Sequence, residues 1–163
     1  YKRQRIMDHL AAVMDPLQGS YQVKQAALTL GAGGLWGTGL GEGQQKLFFL
    51  PYPHTDFIFA ATGEELGLIG LLVILLLLFV IVWRGCRIAA QQPDRFGFLL
   101  AGGMTIGLFV NIAINIGVVT AILPVTGRPL PFLSYGGSSL LMSSCAVAVL
   151  LNLSRRISRD QVR

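Results

Sequence analysis

Leu50-Pro51-Tyr52-Pro53-His54-Thr55-Asp56-Phe57-Ile58-Phe59-Ala60, running on through Ala61-Thr62-Gly63-Glu64-Glu65-Leu66-Gly67-Leu68-Ile69-Gly70, is the stretch on which the fold turns. A proline-broken polar segment passes here into the longest apolar run of the chain. One histidine, one aspartate and two glutamates crowd the passage. A carboxylate at the lip of a membrane helix is costly unless water, a partner or a substrate meets it. Leu66 to Trp83 carries no charge and would make about 27 Å of helix, enough to cross a bilayer core. Thr62 and Glu65 match a capping box and predict a helix start at 62.

Working outward, the 163 residues are 53% hydrophobic and 13% charged, against about 25% charged in soluble domains. Long apolar stretches account for the shortfall, which makes this an all-α polytopic membrane protein. The chain opens on Tyr1 without an initiator methionine or a signal-peptide pattern, and a fragment of a larger helix bundle is the expectation. Its 13 Lys+Arg outnumber its 8 Asp+Glu. The basic residues sit beside apolar runs, so they suit lipid headgroups and topology and give no reason to expect nucleic acid.

Before the opening stretch, apolar positions 6, 7, 10, 13, 14 and 17 line one face of a surface helix. A mixed segment from Tyr21 to Leu30 predicts a short helix ending at Gly31. The glycine-dense run Gly31 to Gly43 satisfies neither nucleotide-binding spacing and reads as a flexible, closely packed loop. After it, spans are expected at about 62–83, 96–118 and 137–153. Prolines 124, 129 and 131 forbid a regular helix over 119–136, which reads as a re-entrant or mouth-lining loop. The 84–95 turn holds Arg84, Arg87 and Arg95, and the 154–163 tail holds Arg155, Arg156, Arg159 and Arg163. The positive-inside rule puts both in the cytoplasm and residues 1–61, with the 119–136 loop, outside. Gly103, Gly107, Asn111 and Asn115 share one face of the second span. Helix packing against neighbours beyond the three spans and a polar substrate path both fit them.

Familiar hydrolytic and zinc motifs are absent, and Cys86 and Cys145 suit neither a disulfide nor a metal. Carboxylate chemistry is what remains. Asp56 could be a helix cap or a catalytic group, and the residues alone leave both open.

The opening stretch resembles the L-P-x-x-H/Q-T-D-F-I-F-A-x-x-x-E-E-x-G signature of the SEDS family, the FtsW, RodA and SpoVE group. Asn115 to Thr120, Leu123 to Gly127 and Pro129 to Ser139 are similar to its second signature, and the likeness covers nearly the whole chain. Tyr52 stands where a glutamate is common and Arg128 where an aliphatic residue is typical.

The resemblance implies a multi-helix enzyme of the bacterial plasma membrane that polymerises lipid II, an undecaprenyl-pyrophosphate disaccharide-peptide, into glycan strands outside the cell. Its implied partners are a class B penicillin-binding transpeptidase and other divisome membrane proteins. The family's essential aspartate maps onto Asp56. A lipid pyrophosphate leaves without a general acid, so one base at the acceptor hydroxyl suffices. Lys46, His54, Thr55, Glu64, Arg128, Ser134 and Ser138 are the candidate substrate contacts. A divalent cation, magnesium or manganese, could assist the pyrophosphate, although the sequence shows no ligand cluster for one. A lipid II flippase, an elongation-type polymerase of the RodA kind and a scaffold for the transpeptidase are the alternatives.

Overall fold

The computed structural model describes residues 21–43 and 57–160, and these are all-helical, with no strand among them. Helix α1 is Tyr21–Gly33, α2 is Ile58–Ala90, α3 is Arg95–Val119 and α4 is Gly137–Asp160. Three segments are long and apolar enough to cross a membrane: Ile58–Ala90, Arg95–Val119 and Gly137–Arg155. The expected surface helix before residue 20 lies outside the described residues.

Helix α2 differs most from its sequence reading. It starts at Ile58 and continues through Arg84 and Arg87 to Ala90. The capping box is not formed, because Thr62 lies inside the helix and its hydroxyl donates to the Ile58 carbonyl at 2.7 Å. Gly67 divides the helix, with φ 68° and ψ −171°, a backbone region open essentially to glycine alone. Residues 68–83, between the break and Arg84, would make about 24 Å of helix. The half-helix 58–66 therefore lies toward one end of the crossing.

An unbroken helix would pair the Leu68 and Ile69 amides with the Glu64 and Glu65 carbonyls. The glycine-rich loop takes over both connections. Leu68 N–H donates to Gly34 O at 3.0 Å and Ile69 N–H to Leu35 O at 3.3 Å. In return Thr38 N–H donates to Glu64 O at 2.9 Å and Gly39 N–H to Glu65 O at 3.1 Å. The Thr38 hydroxyl adds a second bond to Glu64 O at 3.0 Å. Near hydrocarbon, each orphaned backbone group would cost several kcal/mol. The loop removes that cost, and in doing so it clasps α2 at its break.

The clasp explains the glycine density. A Cβ on Gly67 would fall 2.6 Å from Leu35 O, and one on Gly37 would meet Glu65 O and lie 2.7 Å from Gly67 N. Helix α1 runs to Gly33 rather than stopping at Gly31, since Gly33 and Gly63 touch backbone to backbone. The side of α1 facing α2 is small and polar: Gln25, Ala26, Thr29 and Gly33 are buried, while Tyr21 and Leu28 point outward. Small residues of this kind let backbones approach closely.

Two apolar cores hold the helices. Ala26, Phe57, Phe59, Ala60, Leu71, Ile112, Val119 and Leu130 form one, joining α1, α2 and the end of α3 to the loop after it. Ala89, Ala101, Leu108, Ala146, Leu150 and Leu153 form the other, where α4 packs on α3 and α2. Gly85 abuts Thr105 where α2 crosses α3. Asp94 caps α3, accepting from Gly97 N–H at 2.8 Å. Leu72, Leu76, Phe79, Phe98, Leu99 and Leu141 remain more than half exposed, as lipid-facing or helix-facing surfaces do.

Replacing Gly67 by alanine is expected to cost about 1–3 kcal/mol for the backbone region alone, before the overlap with Leu35 and Gly37. Gly31 has open space around its Cβ position, so Gly31→Ala serves as the control. In thermal unfolding of the detergent-solubilised protein, Gly67→Ala should melt several degrees lower and Gly31→Ala with the wild type. Equal midpoints for all three would contradict the clasp.

Candidate functional site

Asp56, Lys46, His54 and Thr55 lie outside the described residues. What can be described is the seat beside them. Phe57, the residue after Asp56, is the N-cap residue of α2 and is 1% exposed, set in the first apolar core.

Glu64 is buried at 2% exposure on the half-helix ahead of Gly67. Gly43 packs over its carboxylate so closely that a Cβ there would lie 3.0 Å from Oε2. The clasp also holds Glu64 by its backbone, through Thr38. One glutamate is thus held at its main chain and packed over at its side chain, on the half-helix that begins at Ile58.

The 121–136 segment forms the second wall. Leu130 and Pro131 are fully buried. Two of its non-glycine residues sit at positive φ, Ala121 at 63° and Phe132 at 68°, a conformation that persists only when its surroundings enforce it. Those surroundings are visible. Buried Asn115 donates from Nδ2 to Arg128 O at 2.8 Å, and the Arg128 guanidinium donates to Asn111 Oδ1 at 3.3 Å. Ser134 and Leu130 exchange two bonds, Leu130 N–H to Ser134 Oγ at 2.7 Å and Ser134 N–H to Leu130 O at 3.1 Å. The segment folds back along α3 to the level of Asn115, four residues before its end, as a re-entrant loop does.

Of the candidates within the described residues, Arg128 and Ser134 share this loop, and exposed Ser138 lies in the first turn of α4. Ser134 is buried and braces the loop. Glu64 belongs to the clasp on α2. The asparagine stripe is corrected in its partner: Asn111 and Asn115 bond the loop, whereas Gly103 and Gly107 have nothing near their Cβ positions. Sequence reasoning missed Gly67, Gly37 and Thr38 as a unit. The signal was a glycine directly after Glu64-Glu65-Leu66, with a glycine-rich loop upstream to complete it. Among the described residues no three His, Cys, Asp or Glu side chains gather as a metal site.

Comparison with known proteins follows the same lines. Residues 1–159 match the family of cell cycle proteins FtsW, RodA and SpoVE. Stage V sporulation protein E of Bacillus subtilis strain 168 is 52% identical over 155 residues, covering 95% of this chain and 42% of that protein. A probable peptidoglycan glycosyltransferase FtsW of Geobacter metallireducens is 49% identical, covering 96% and 42%. The peptidoglycan glycosyltransferase MrdB of Escherichia coli K12 is 46% identical, covering 94% and 42%. A solved chain from a peptidoglycan synthase complex that coordinates polymerization and crosslinking superposes with TM-score 0.71 at 29% identity, covering 96% of this chain and 42% of its own. The chain spans 42% of the length of each of these relatives.

The loop's anchorage is testable through its amides. Asn115→Ala removes a buried donor to Arg128 O and should cost about 1–3 kcal/mol. Hydrogen exchange across residues 121–134 should quicken, while α4 keeps its protection. Unchanged exchange in that segment would show that Asn115 does not hold it.

Proposed function

The chain belongs to the FtsW/RodA/SpoVE family of cell cycle proteins, and from that premise we propose that it serves a peptidoglycan glycosyltransferase polymerising lipid II at the outer face of the plasma membrane. It is a multi-pass membrane protein with three apolar helices fit to cross a bilayer. Residues 1–61 and the 119–136 loop are assigned to the outer side, and 84–95 with the 154–163 tail to the cytoplasm. The arginines at the α2–α3 turn and after α4 support this orientation.

The observation that carries the reading is the seat ahead of Asp56. Phe57 is locked in the core, the half-helix 58–66 is clasped at Gly67, and the re-entrant loop walls the same end of the bundle. A side chain leaving such a seat loses little freedom on meeting its substrate, which is what positioning requires.

Asp56 acts as general base. Its carboxylate takes the proton of the acceptor sugar's hydroxyl as that oxygen attacks the donor's anomeric carbon. The bond to the lipid diphosphate breaks with its electron pair on the departing oxygen, and an α-linked donor becomes a β-linked strand. An aspartate with pKa near ~3.9 is ionised at neutral pH and ready to accept. The diphosphate is a good leaving group, so no second carboxylate is required as acid. A class B penicillin-binding transpeptidase is the partner that would crosslink the product. A division-type role is the finer reading, supported by the likeness of Gly39-Leu40-Gly41 and Gln44 to Phe48 to FtsW and SpoVE.

The interruption of α2 at Gly67 also suits a passage for a lipid-linked sugar, since transporters use broken helices. The two readings separate on one residue. With the full-length protein, its transpeptidase and purified lipid II, Asp56→Asn should lower strand synthesis by about 10²–10⁴ fold, while transport would survive the change. Full polymerisation by Asp56→Asn would remove this aspartate from the mechanism.

A further inference from the structure

The Arg128 side chain runs the wrong way for a membrane arginine. Its backbone carbonyl is held by Asn115, four residues from the end of α3, and its guanidinium bonds Asn111, a further turn inward. At 1.5 Å per residue the eight residues from Asn111 to Val119 put that contact about 12 Å below the helix end. Arginines near a membrane face normally stretch outward to water. This one reaches from its anchored backbone along α3, toward the middle of that apolar helix. Among the described residues no carboxylate pairs with it, and the side chain is exposed on the face where Gly103 and Gly107 are also open.

A guanidinium so directed needs a water-filled cavity or an anion beside it. A neutral amide oxygen at 3.3 Å orients the group, and among the described residues no carboxylate offsets its charge. Its planar fork of donors matches phosphate oxygens. The loop that carries it is braced by Asn115, by the Ser134–Leu130 pair and by buried Leu130. The cation is therefore held at a set level along α3.

We propose that Arg128, oriented by Asn111, is a phosphate seat at membrane depth that takes the diphosphate of a lipid-linked sugar. Asn111 is a positioning residue here, acting through Arg128. The inference rests on the polymerase reading for its choice of ligand. A diphosphate on a long lipid chain is the anion that can arrive at this depth with its chain still in the membrane.

The test is binding of undecaprenyl diphosphate to the full-length protein in nanodiscs, followed by the dependence of strand synthesis on lipid II concentration. Arg128→Gln should weaken undecaprenyl diphosphate binding about tenfold and lower kcat/KM by at least as much, since charge builds on the departing diphosphate as its bond breaks. Arg128→Lys should recover part of the loss. Asn111→Leu should weaken binding too, and adding it to Arg128→Gln should cost little more, since the two act as one unit. Thermal midpoints report whether each variant is folded. Equal diphosphate binding by wild type and Arg128→Gln overturns the proposal. So does a defect seen only in phosphatidylglycerol nanodiscs and lost in phosphatidylcholine, which assigns the seat to bilayer phospholipid. A wild type that binds undecaprenyl diphosphate in an Arg128-dependent way but makes no strands would sink the polymerase reading and leave this one standing.

Discussion

The exchange of backbone hydrogen bonds between the glycine-rich loop and α2 is the constraint from which the rest of this bundle follows. A membrane helix can be interrupted only where something else satisfies the groups set free. Here Gly34, Leu35, Thr38 and Gly39 do so for both sides of the break. Because those contacts are main chain to main chain, the loop must approach without side chains in the way. Gly33, Gly37, Gly63 and Gly67 are four consequences of one requirement. The interruption frees the half-helix 58–66 from the axis of the spanning part. It thereby sets where Glu64 is buried and where the chain coming from Asp56 enters.

The far end of α3 solves a similar problem by other means. There the irregular backbone is held by side-chain amides and a serine hydroxyl, through Asn115, Asn111 and Ser134. Both walls of the candidate site are non-helical segments pinned to helices. Neither has a regular ladder of its own, and both depend on residues remote in sequence: Thr38 on Glu64, and Arg128 on Asn111 and Asn115. The opposite end of the bundle is plainer. Asp94 caps α3, and Gln92 Nε2 donates to Leu153 O at 3.4 Å. That end needs only to close.

What the sequence made legible divides along the same line. The three spans and the loop after α3 could be read because hydropathy and proline are local signals, and α3 from Arg95 to Val119 falls where its apolar run lies. The Thr62–Glu65 pattern misled because a capping box has the same spacing as two residues on a helix face. Phe57 and Phe59, buried in the core, draw the helix start back to Ile58. The clasp was illegible in kind: its partners are peptide groups, which every residue has, so only the glycines mark it. The asparagine stripe was legible as a polar contact but not as to partner, since an amide on a helix face does not say whether a helix or a loop will meet it. Of the candidate site, Asp56 is a proposal from the sequence, and the fold shows the buried Phe57 and the clasped half-helix that follow it.

These points bear on why one acid can sit safely in such a place. A carboxylate at a membrane rim is tolerated where water or a partner meets it, and a buried one where hydrogen bonds or a neighbouring charge meet it. Glu64 is the buried case, packed under Gly43 eight residues after Asp56 in sequence. The break at Gly67 lets the loop reach its backbone. In an unbroken helix continuing the 68–90 axis, Glu64 would ride on the spanning rod, with no loop carbonyl or amide to hold its backbone. With the helix broken and clasped, the half bearing Glu64 becomes a rigid bracket at the rim. Glycine content and the irregular walls are one design in physical terms: backbone satisfaction at the break comes first, and the bracket that carries Glu64 is what that satisfaction permits.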